Sequence, residues 1–172
     1  MVKFLKMLSI SAREGTATRK YPFESSLVTP EFRGKIEVDP IKCVGCGACT
    51  KICPPKALTM GYEGNEATLK YFVGKCIFCG MCAYVCPQKA ISISREFELA
   101  TWELGDLYDE VVHNTVRCRI CGKSFTTVKF VKEVEKRIEN KVPEDLLSVC
   151  PECRKKLTAR KIGSKVVGVS GE

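Results

Sequence analysis

The stretch CVGCGACTKICPPKAL, residues 43–58, returns in altered form as CIFCGMCAYVCPQKAI, residues 76–91. The offset between the two copies is 33 residues throughout, and it superposes all four cysteines and the proline that follows the fourth. A repeat at one fixed spacing indicates internal duplication rather than a coincidence of composition. The duplicated segment is therefore the unit from which this part of the fold is built.

Each copy has the spacing C-x2-C-x2-C-x3-C-P, which is typical of bacterial ferredoxins with two 4Fe-4S clusters. In those proteins the fourth cysteine of each run binds the other cluster, because three closely spaced thiolates already wrap one side of the cubane. This rule predicts cluster 1 on Cys43, Cys46, Cys49 and Cys86. It predicts cluster 2 on Cys76, Cys79, Cys82 and Cys53. Two zinc sites or a lattice of disulfides are the alternatives, and two complete runs of this spacing disfavour both.

Short segments rich in β-branched and aromatic residues flank the two runs. The predicted strands are KIEVD at 35–39, ALTM at 57–60, TLKYFV at 68–73 and AISIS at 90–94, with a turn expected at 61–66. We therefore expect an α+β fold. It comprises a two-cluster, ferredoxin-like domain, an extended N-terminal arm and a small C-terminal four-cysteine module that contains a helix.

The four remaining cysteines form two C-x2-C pairs, Cys118 with Cys121 and Cys150 with Cys153. Four soft thiolates in two pairs suit a closed tetrahedral site, held by zinc in zinc ribbons or by a single iron in rubredoxin-type centres. A third 4Fe-4S cluster is a further alternative. The 28 residues between the pairs exceed the roughly 15 to 20 of the simplest zinc pattern, and residues 128–138 have helical apolar spacing. Zinc at this position would be structural only.

Composition limits where the protein works and what it binds. The chain has 172 residues, twelve cysteines and a net charge of +8, of which +7 lies beyond residue 116. We expect no signal peptide, and no run approaches the roughly 18 to 20 apolar residues of a spanning helix. A soluble or peripheral protein in a reducing compartment is expected. Metal-bound thiolates offset much of the charge and no row of aromatic residues accompanies it, so we expect no nucleic acid partner.

Residues for catalysis are not evident. The chain has no recognisable Ser/His/Asp set, no paired catalytic carboxylates and no glycine-rich nucleotide loop. His113 is the sole histidine, and a lone histidine is more often structural than a ligand. We therefore expect an electron-transfer component of an oxidoreductase complex, without a catalytic site of its own.

Five parts are predicted along the chain. They are an N-terminal helix and extended docking arm at 1–34, a ferredoxin domain with two 4Fe-4S clusters at 35–102, a linker at 103–116, a four-cysteine module of zinc-ribbon or rubredoxin type at 117–156, and a basic tail at 157–172. In the first part, Phe4, Leu5 and Leu8 share one side of a short predicted helix. That side either faces a small core or docks on a partner.

Three further segments carry a family resemblance. GTATRKYP at 15–22, EFRGK at 31–35 and SREFELATW at 94–102, together with the duplicated runs, resemble the ferredoxin-like subunit shared by respiratory complex I and the group 4 membrane-bound nickel-iron hydrogenases. The C-terminal CRICG and CPEC motifs are most similar to those of the corresponding subunit of formate hydrogenlyase. The matching residues outside the cysteines are Arg33, Gly34, Glu98, Leu99 and Trp102. The resemblance implies that they lie at a subunit interface or cover the clusters.

The resemblance also implies a role. Such a subunit relays electrons between an electron-input module, namely a formate dehydrogenase, a carbon monoxide dehydrogenase or a ferredoxin, and the hydrogenase small subunit. The implied partners are that module and the small and large hydrogenase subunits. The implied location is peripheral, on the cytoplasmic side of the cell membrane. The alternatives are a complex I-type ferredoxin subunit and a free soluble ferredoxin carrier with a structural zinc appendage.

Overall fold

The computed structural model describes residues 2–15, 20–24, 26, 28–138 and 144–167. They fall into two compact units, Met1–Phe32 and Arg33–Glu172. Parts of the predicted arm, at 16–19, 25 and 27, and the end of the predicted tail, at 168–172, lie outside the described residues.

The first unit contains one long helix, α1, at Val2–Glu14. Its apolar residues Phe4, Leu5, Met7 and Leu8 are all exposed in the chain. The helix expected from the sequence is therefore present, and its apolar side faces solvent in the single chain.

The second unit combines six strands with five helices among the described residues. The strands are β1 at Ile36–Val38, β2 at Leu58–Glu63, β3 at Glu66–Phe72, β4 at Ile91–Ile93, β5 at Tyr108–Arg117 and β6 at Ser124–Thr127. The helices are α2 at Ala48–Ile52, α3 at Met81–Val85, α4 at Val128–Ile138, α5 at Glu144–Leu147 and α6 at Pro151–Val167. The predicted α+β fold class is confirmed.

Two antiparallel sheets organise these elements. Strands β1 and β4 pair with each other, and the second sheet has the order β2-β3-β5-β6. In β3 the residues Ala67, Leu69 and Tyr71 are buried while the residues between them are more exposed. This period of two is that of a strand with one face on the core.

Strand β5 is the main difference from the expected layout. Residues 103–116, predicted as a linker, contain a 3-10 turn at Leu104–Leu107 and most of β5. Strand β5 pairs with β3 from Phe72 opposite Tyr108 to Glu66 opposite Asn114. We refer to residues 108–167 as the C-terminal extension. The pairing joins this extension to the ferredoxin core through a shared sheet.

Candidate iron–sulfur and metal centres

One cavity gathers cysteines from both copies of the repeat. About 370 Å³ of space free of protein atoms, part of it open solvent, lies within its lining. Its cysteines are Cys43, Cys46 and Cys49 of the first run and Cys86 of the second. These are the four residues predicted to hold cluster 1.

A second cavity of about 340 Å³ has the complementary composition. Its cysteines are Cys76, Cys79 and Cys82 of the second run and Cys53 of the first. The eight cysteines are thus divided into two sets of three plus one. Similar size and similar donors in both cavities fit two groups of the same kind.

The local backbone explains how each run wraps its cavity. Gly47 and Gly80 precede α2 and α3 and have φ of 72° and 76°, the left-handed region that glycine tolerates best. Each short helix carries the third cysteine of its run, and the fourth cysteine follows its last residue. The chain therefore turns tightly between the second and third cysteines of each run. The fourth cysteine, directly after the helix, lies at the other cavity.

Burial and crowding make these thiols hold their protons when no metal is bound. Burial, followed by the neighbouring thiols of Cys46, Cys43 and Cys82, raises the pKa of Cys49 to about 12. Burial is also the main cause of the raised pKa of Cys82. A buried thiolate therefore needs a cationic partner, and iron supplies that charge.

Backbone amides donate to cysteine sulfur in both cavities. The N–H of Ala90 donates to Cys86 Sγ at 3.2 Å, and the N–H of Phe78 donates to Cys76 Sγ at 3.4 Å. Hydrogen bonds of this kind stabilise thiolate ligands and help to set the reduction potential of a cluster. Both cavities are therefore suited to 4Fe-4S clusters.

Side chains of β2 and β3 line both cavities. Met60 and Leu69 lie opposite each other in the ladder and line the first cavity, whereas Leu58 and Tyr71 lie opposite each other and line the second. Leu58, Leu69 and Tyr71 are almost completely buried. The core that stabilises the sheet also excludes water from the two cysteine sets.

The other four cysteines also converge. The Sγ atoms of Cys118, Cys121, Cys150 and Cys153 all lie within 4.8 Å of one another. The pair Cys121 and Cys150 is 3.7 Å apart. Tetrahedral zinc, with Zn–S near 2.3 Å, places thiolates about 3.8 Å apart. In a cubane each thiolate binds a different iron, which requires wider spacing, so this set fits a single ion.

Two turns and one helix end build this third site. The N–H of Cys118 donates to the carbonyl of Lys123 at 2.9 Å, and the N–H of Gly122 donates back to the carbonyl of Cys118 at 2.9 Å. The N–H of Cys150 donates to Cys118 Sγ at 3.3 Å. That bond is the main cause that lowers the pKa of Cys118. Helix α6 begins between the second pair, so Cys153 is held on its first turn.

The segments that carry the family resemblance meet beside the clusters. The N–H of Gly34 donates to the carbonyl of Ser94 at 2.9 Å, and a Cβ at Gly34 would lie only 2.7 Å from the backbone nitrogen of Glu96. Arg33 Nη1 donates to the carbonyl of Cys79 at 3.0 Å. The family resemblance alone linked EFRGK to SREFELATW. The structure shows that the two segments are in direct backbone contact.

Other residues of the segment 94–102, and His113, differ in how far they are exposed. Leu99 packs partly buried against the ferredoxin core, whereas Phe97 is 38% exposed and Trp102 is fully exposed. His113, expected to be structural, is 4% exposed and faces the interior from β5. Its position was not evident from the sequence because it depends on the long-range pairing of β5 with β3. No helix within the described ranges has both the length and the apolar character needed to cross a bilayer.

Comparisons with known proteins agree with this site. Residues 42–90 match the model of the 4Fe-4S dicluster domain family. Formate hydrogenlyase subunit 6 of Escherichia coli (strain K12) is 38% identical over 165 residues, covering 90% of this chain and 89% of that protein. NAD(P)H-quinone oxidoreductase subunit I of Trichodesmium erythraeum (strain IMS101) is 32% identical over 156 residues, covering 74% and 75%.

A solved structure is also similar in sequence. A chain of the membrane-bound sulfane sulfur reductase, described as an archaeal respiratory membrane complex, is 26% identical. The match covers 74% of this chain and 62% of that chain, with a TM-score of 0.43.

A dicluster cysteine pattern on a ferredoxin-like core defines an iron–sulfur electron-transfer protein. Within that class, the chain belongs to the family of ferredoxin-like subunits that includes formate hydrogenlyase subunit 6. The predicted kinship and the predicted iron–sulfur cofactors are confirmed at this level.

Proposed function

We propose that the protein relays single electrons through two 4Fe-4S clusters with crossed ligation. Cluster 1 takes Cys43, Cys46, Cys49 and Cys86, and cluster 2 takes Cys76, Cys79, Cys82 and Cys53. The observation that carries this proposal is the sorting of the eight cysteines into two cavities of similar size. The clusters supply the redox chemistry, and this chain supplies thiolates, N–H donors and a dry core.

The third cysteine set binds one structural ion, zinc in preference to iron. The close grouping of its four sulfurs supports a single tetrahedral ion. Its apolar surroundings are small, with Val149 as the one fully buried aliphatic residue of the described cluster and Phe125 packed on it. A core of that size needs a metal to hold its fold.

The partner complex is a membrane-bound hydrogenase. In this proposal the chain receives electrons from a formate dehydrogenase, a carbon monoxide dehydrogenase or a ferredoxin, and passes them to the hydrogenase small subunit. It sits peripherally on the cytoplasmic side of the membrane. Similarity along nearly the whole length of a formate hydrogenlyase subunit supports this assignment. The fully exposed Trp102 and the exposed apolar side of α1 offer surface for such partners.

Purification from the native source with a tag on this chain tests the proposal. Metal analysis is expected to give about eight irons for two 4Fe-4S clusters and one further ion per chain. Mass spectrometry of the copurified proteins is expected to identify nickel-iron hydrogenase subunits. A chain that is isolated alone in mild detergent and low salt would favour the free soluble carrier instead.

A further inference from the structure

The C-terminal extension covers the loop that carries the first three cysteines. The hydroxyl of Thr127, buried at the end of β6, donates to the carbonyl of Val44. A Cβ added at Gly45 would lie 2.6 Å from Thr127 Cγ2 and 3.0 Å from His113 Cδ2. Strands β5 and β6 of the extension therefore each place one side chain, His113 and Thr127, in contact with this loop.

The duplicated loop has different surroundings. The offset of 33 residues places Phe78 at the position of Gly45, and both have positive φ, 53° and 68°. The Phe78 side chain packs on the ferredoxin core. Beside it Ile77, Met81 and Tyr84 are exposed by 61%, 42% and 95%. Polar residues from the extension thus cover the first loop, whereas the second loop is covered by its own phenylalanine, contacted by Arg33 from outside the extension and open to solvent nearby.

His113 brings an unused hydrogen-bonding group to the first loop. The residue is 4% exposed, and neither ring nitrogen has a hydrogen-bond partner within the described part of the chain. Burial, and then the charge of Lys129, lowers the pKa of His113, so the ring is neutral and carries one N–H. A buried donor without an acceptor is unfavourable. Sulfur of an iron–sulfur cluster is an acceptor of the kind that this loop would present.

Lys129 adds a positive charge on the same side. Its ammonium, on the first turn of α4, donates to the carbonyl of Pro40 at 2.9 Å. Pro40 lies three residues before Cys43. Reduction adds negative charge to a cluster, so a nearby cation favours the reduced form.

We propose that His113 donates its N–H to a sulfur atom of cluster 1 and that, with the Lys129 ammonium, it raises the reduction potential of cluster 1. This inference rests on the ligand sets proposed above. An electron on cluster 1, beneath the extension, is stabilised by both residues. His113 and Lys129 are tuning residues, because no bond or proton is exchanged in the step.

Redox titration of the full-length chain with both clusters, followed by low-temperature EPR, tests the inference. The signal of cluster 1 is identified as the one that Cys43→Ser alters. His113→Leu is expected to lower the reduced-to-oxidised ratio of cluster 1 about tenfold at a fixed ambient potential, about 59 mV for a one-electron couple. His113→Gln keeps an N–H donor and is expected to restore most of the shift. The potential of cluster 2 is expected to stay unchanged.

Lys129→Gln provides a second test on an exposed residue whose loss does not open the core. It is expected to lower the potential of cluster 1, and Lys136→Gln, at an exposed position further along α4, is the matched control. A His113→Leu protein that loses cluster 1 content without a change in its potential would make His113 a packing residue only. Equal shifts of both clusters, or none, would also overturn the inference. Absence of 4Fe-4S clusters from the wild type would instead overturn the proposed function.

Discussion

Cys86 lies 43 residues after Cys43 in the chain, yet both side chains line one cavity. Cys53 follows Cys49 closely and lines the other cavity. At the scale of residues, proximity in the sequence therefore does not decide which thiols act together. The direction in which the chain leaves α2 and α3 decides it, since each fourth cysteine comes immediately after its helix.

Serine substitutions report this division directly. Cys43→Ser and Cys86→Ser are both expected to diminish the EPR signal of the same cluster, because an alkoxide is a poorer ligand for iron than a thiolate. Cys53→Ser is expected to diminish the other signal. Iron and sulfide analysis of each variant gives the matching loss of content. If Cys43→Ser and Cys86→Ser altered different signals, the crossed ligation would be wrong.

At the scale of elements, the antiparallel pairing of β1 with β4 extends past the ends of both strands. Gly34 and Lys35 make backbone hydrogen bonds with Ser94 and Glu96, so the chain segments before β1 and after β4 stay paired. The backbones approach so closely that a side chain at position 34 has no room. This close approach holds the start and the end of the ferredoxin core together.

Gly34→Ala tests the cost of that approach. The added methyl meets the backbone of Glu96, so the free energy of unfolding is expected to fall by about 1–3 kcal/mol. Gly61→Ala in β2 is the matched control, since nothing lies within 4 Å of its new Cβ. Urea denaturation followed by circular dichroism measures both. An equal effect of the two substitutions would contradict the steric explanation.

The elements differ in how far sequence could predict them. The four predicted strands near the cysteine runs are present as β1 to β4, because local alternation and turn residues determine them. Helix α4 is present for the same reason, its apolar residues recurring at helical spacing. Strand β5 was expected to be a linker, since its place in the sheet depends on a partner some forty residues earlier. The covering of the first loop by Thr127 and His113 followed from that pairing and was likewise not predicted.

The folding stability of the C-terminal module depends on its four thiols. Its described buried cluster consists of Val149 and three of the cysteines, with Phe125 beside them. The double substitution Cys121→Ser with Cys153→Ser is expected to remove one bound ion per chain. Helical circular dichroism should also decrease, because metal binding supplies folding free energy in a module of this size.

Metal analysis and absorption spectra separate the outcomes of that experiment. Zinc in the wild type, with unchanged cluster absorption in the variant, fits a structural ion. Loss of a visible band that belongs to neither 4Fe-4S cluster would assign iron to the site. Full helical content without the ion would refute the structural role.

At the scale of the whole molecule, the described surface of the second unit exposes several large apolar side chains. Trp102 is fully exposed, and Ile77 and Tyr84 are exposed beside the second loop. Large exposed apolar side chains mark protein interfaces. Ile77 and Tyr84 lie between the cysteines of the second run, so a partner that binds there would come close to the second cysteine set.

Trp102 and Leu99 offer a matched pair for testing this surface. Trp102→Ala is expected to change the free energy of unfolding by less than about 0.5 kcal/mol, yet to weaken retention of partner subunits at least tenfold. Leu99→Ala is expected to lower the stability of the chain itself by about 1–3 kcal/mol, because Leu99 packs on the core. Pull-down with increasing salt measures retention, and thermal unfolding measures stability. Undiminished retention by Trp102→Ala would remove Trp102 from the interface.

The exchange of fourth cysteines between the two cavities has a consequence for biosynthesis and ancestry. With the ligand sets proposed above, neither copy of the repeat holds all four thiolates of one cluster, so cluster 2 cannot be completed before residue 82 has been synthesised and cluster 1 not before residue 86. Completion of either cluster would therefore wait for synthesis of the second copy. An ancestor with a single copy would have obtained its fourth thiolate from a second molecule, and gene duplication would have turned that dimer into one chain.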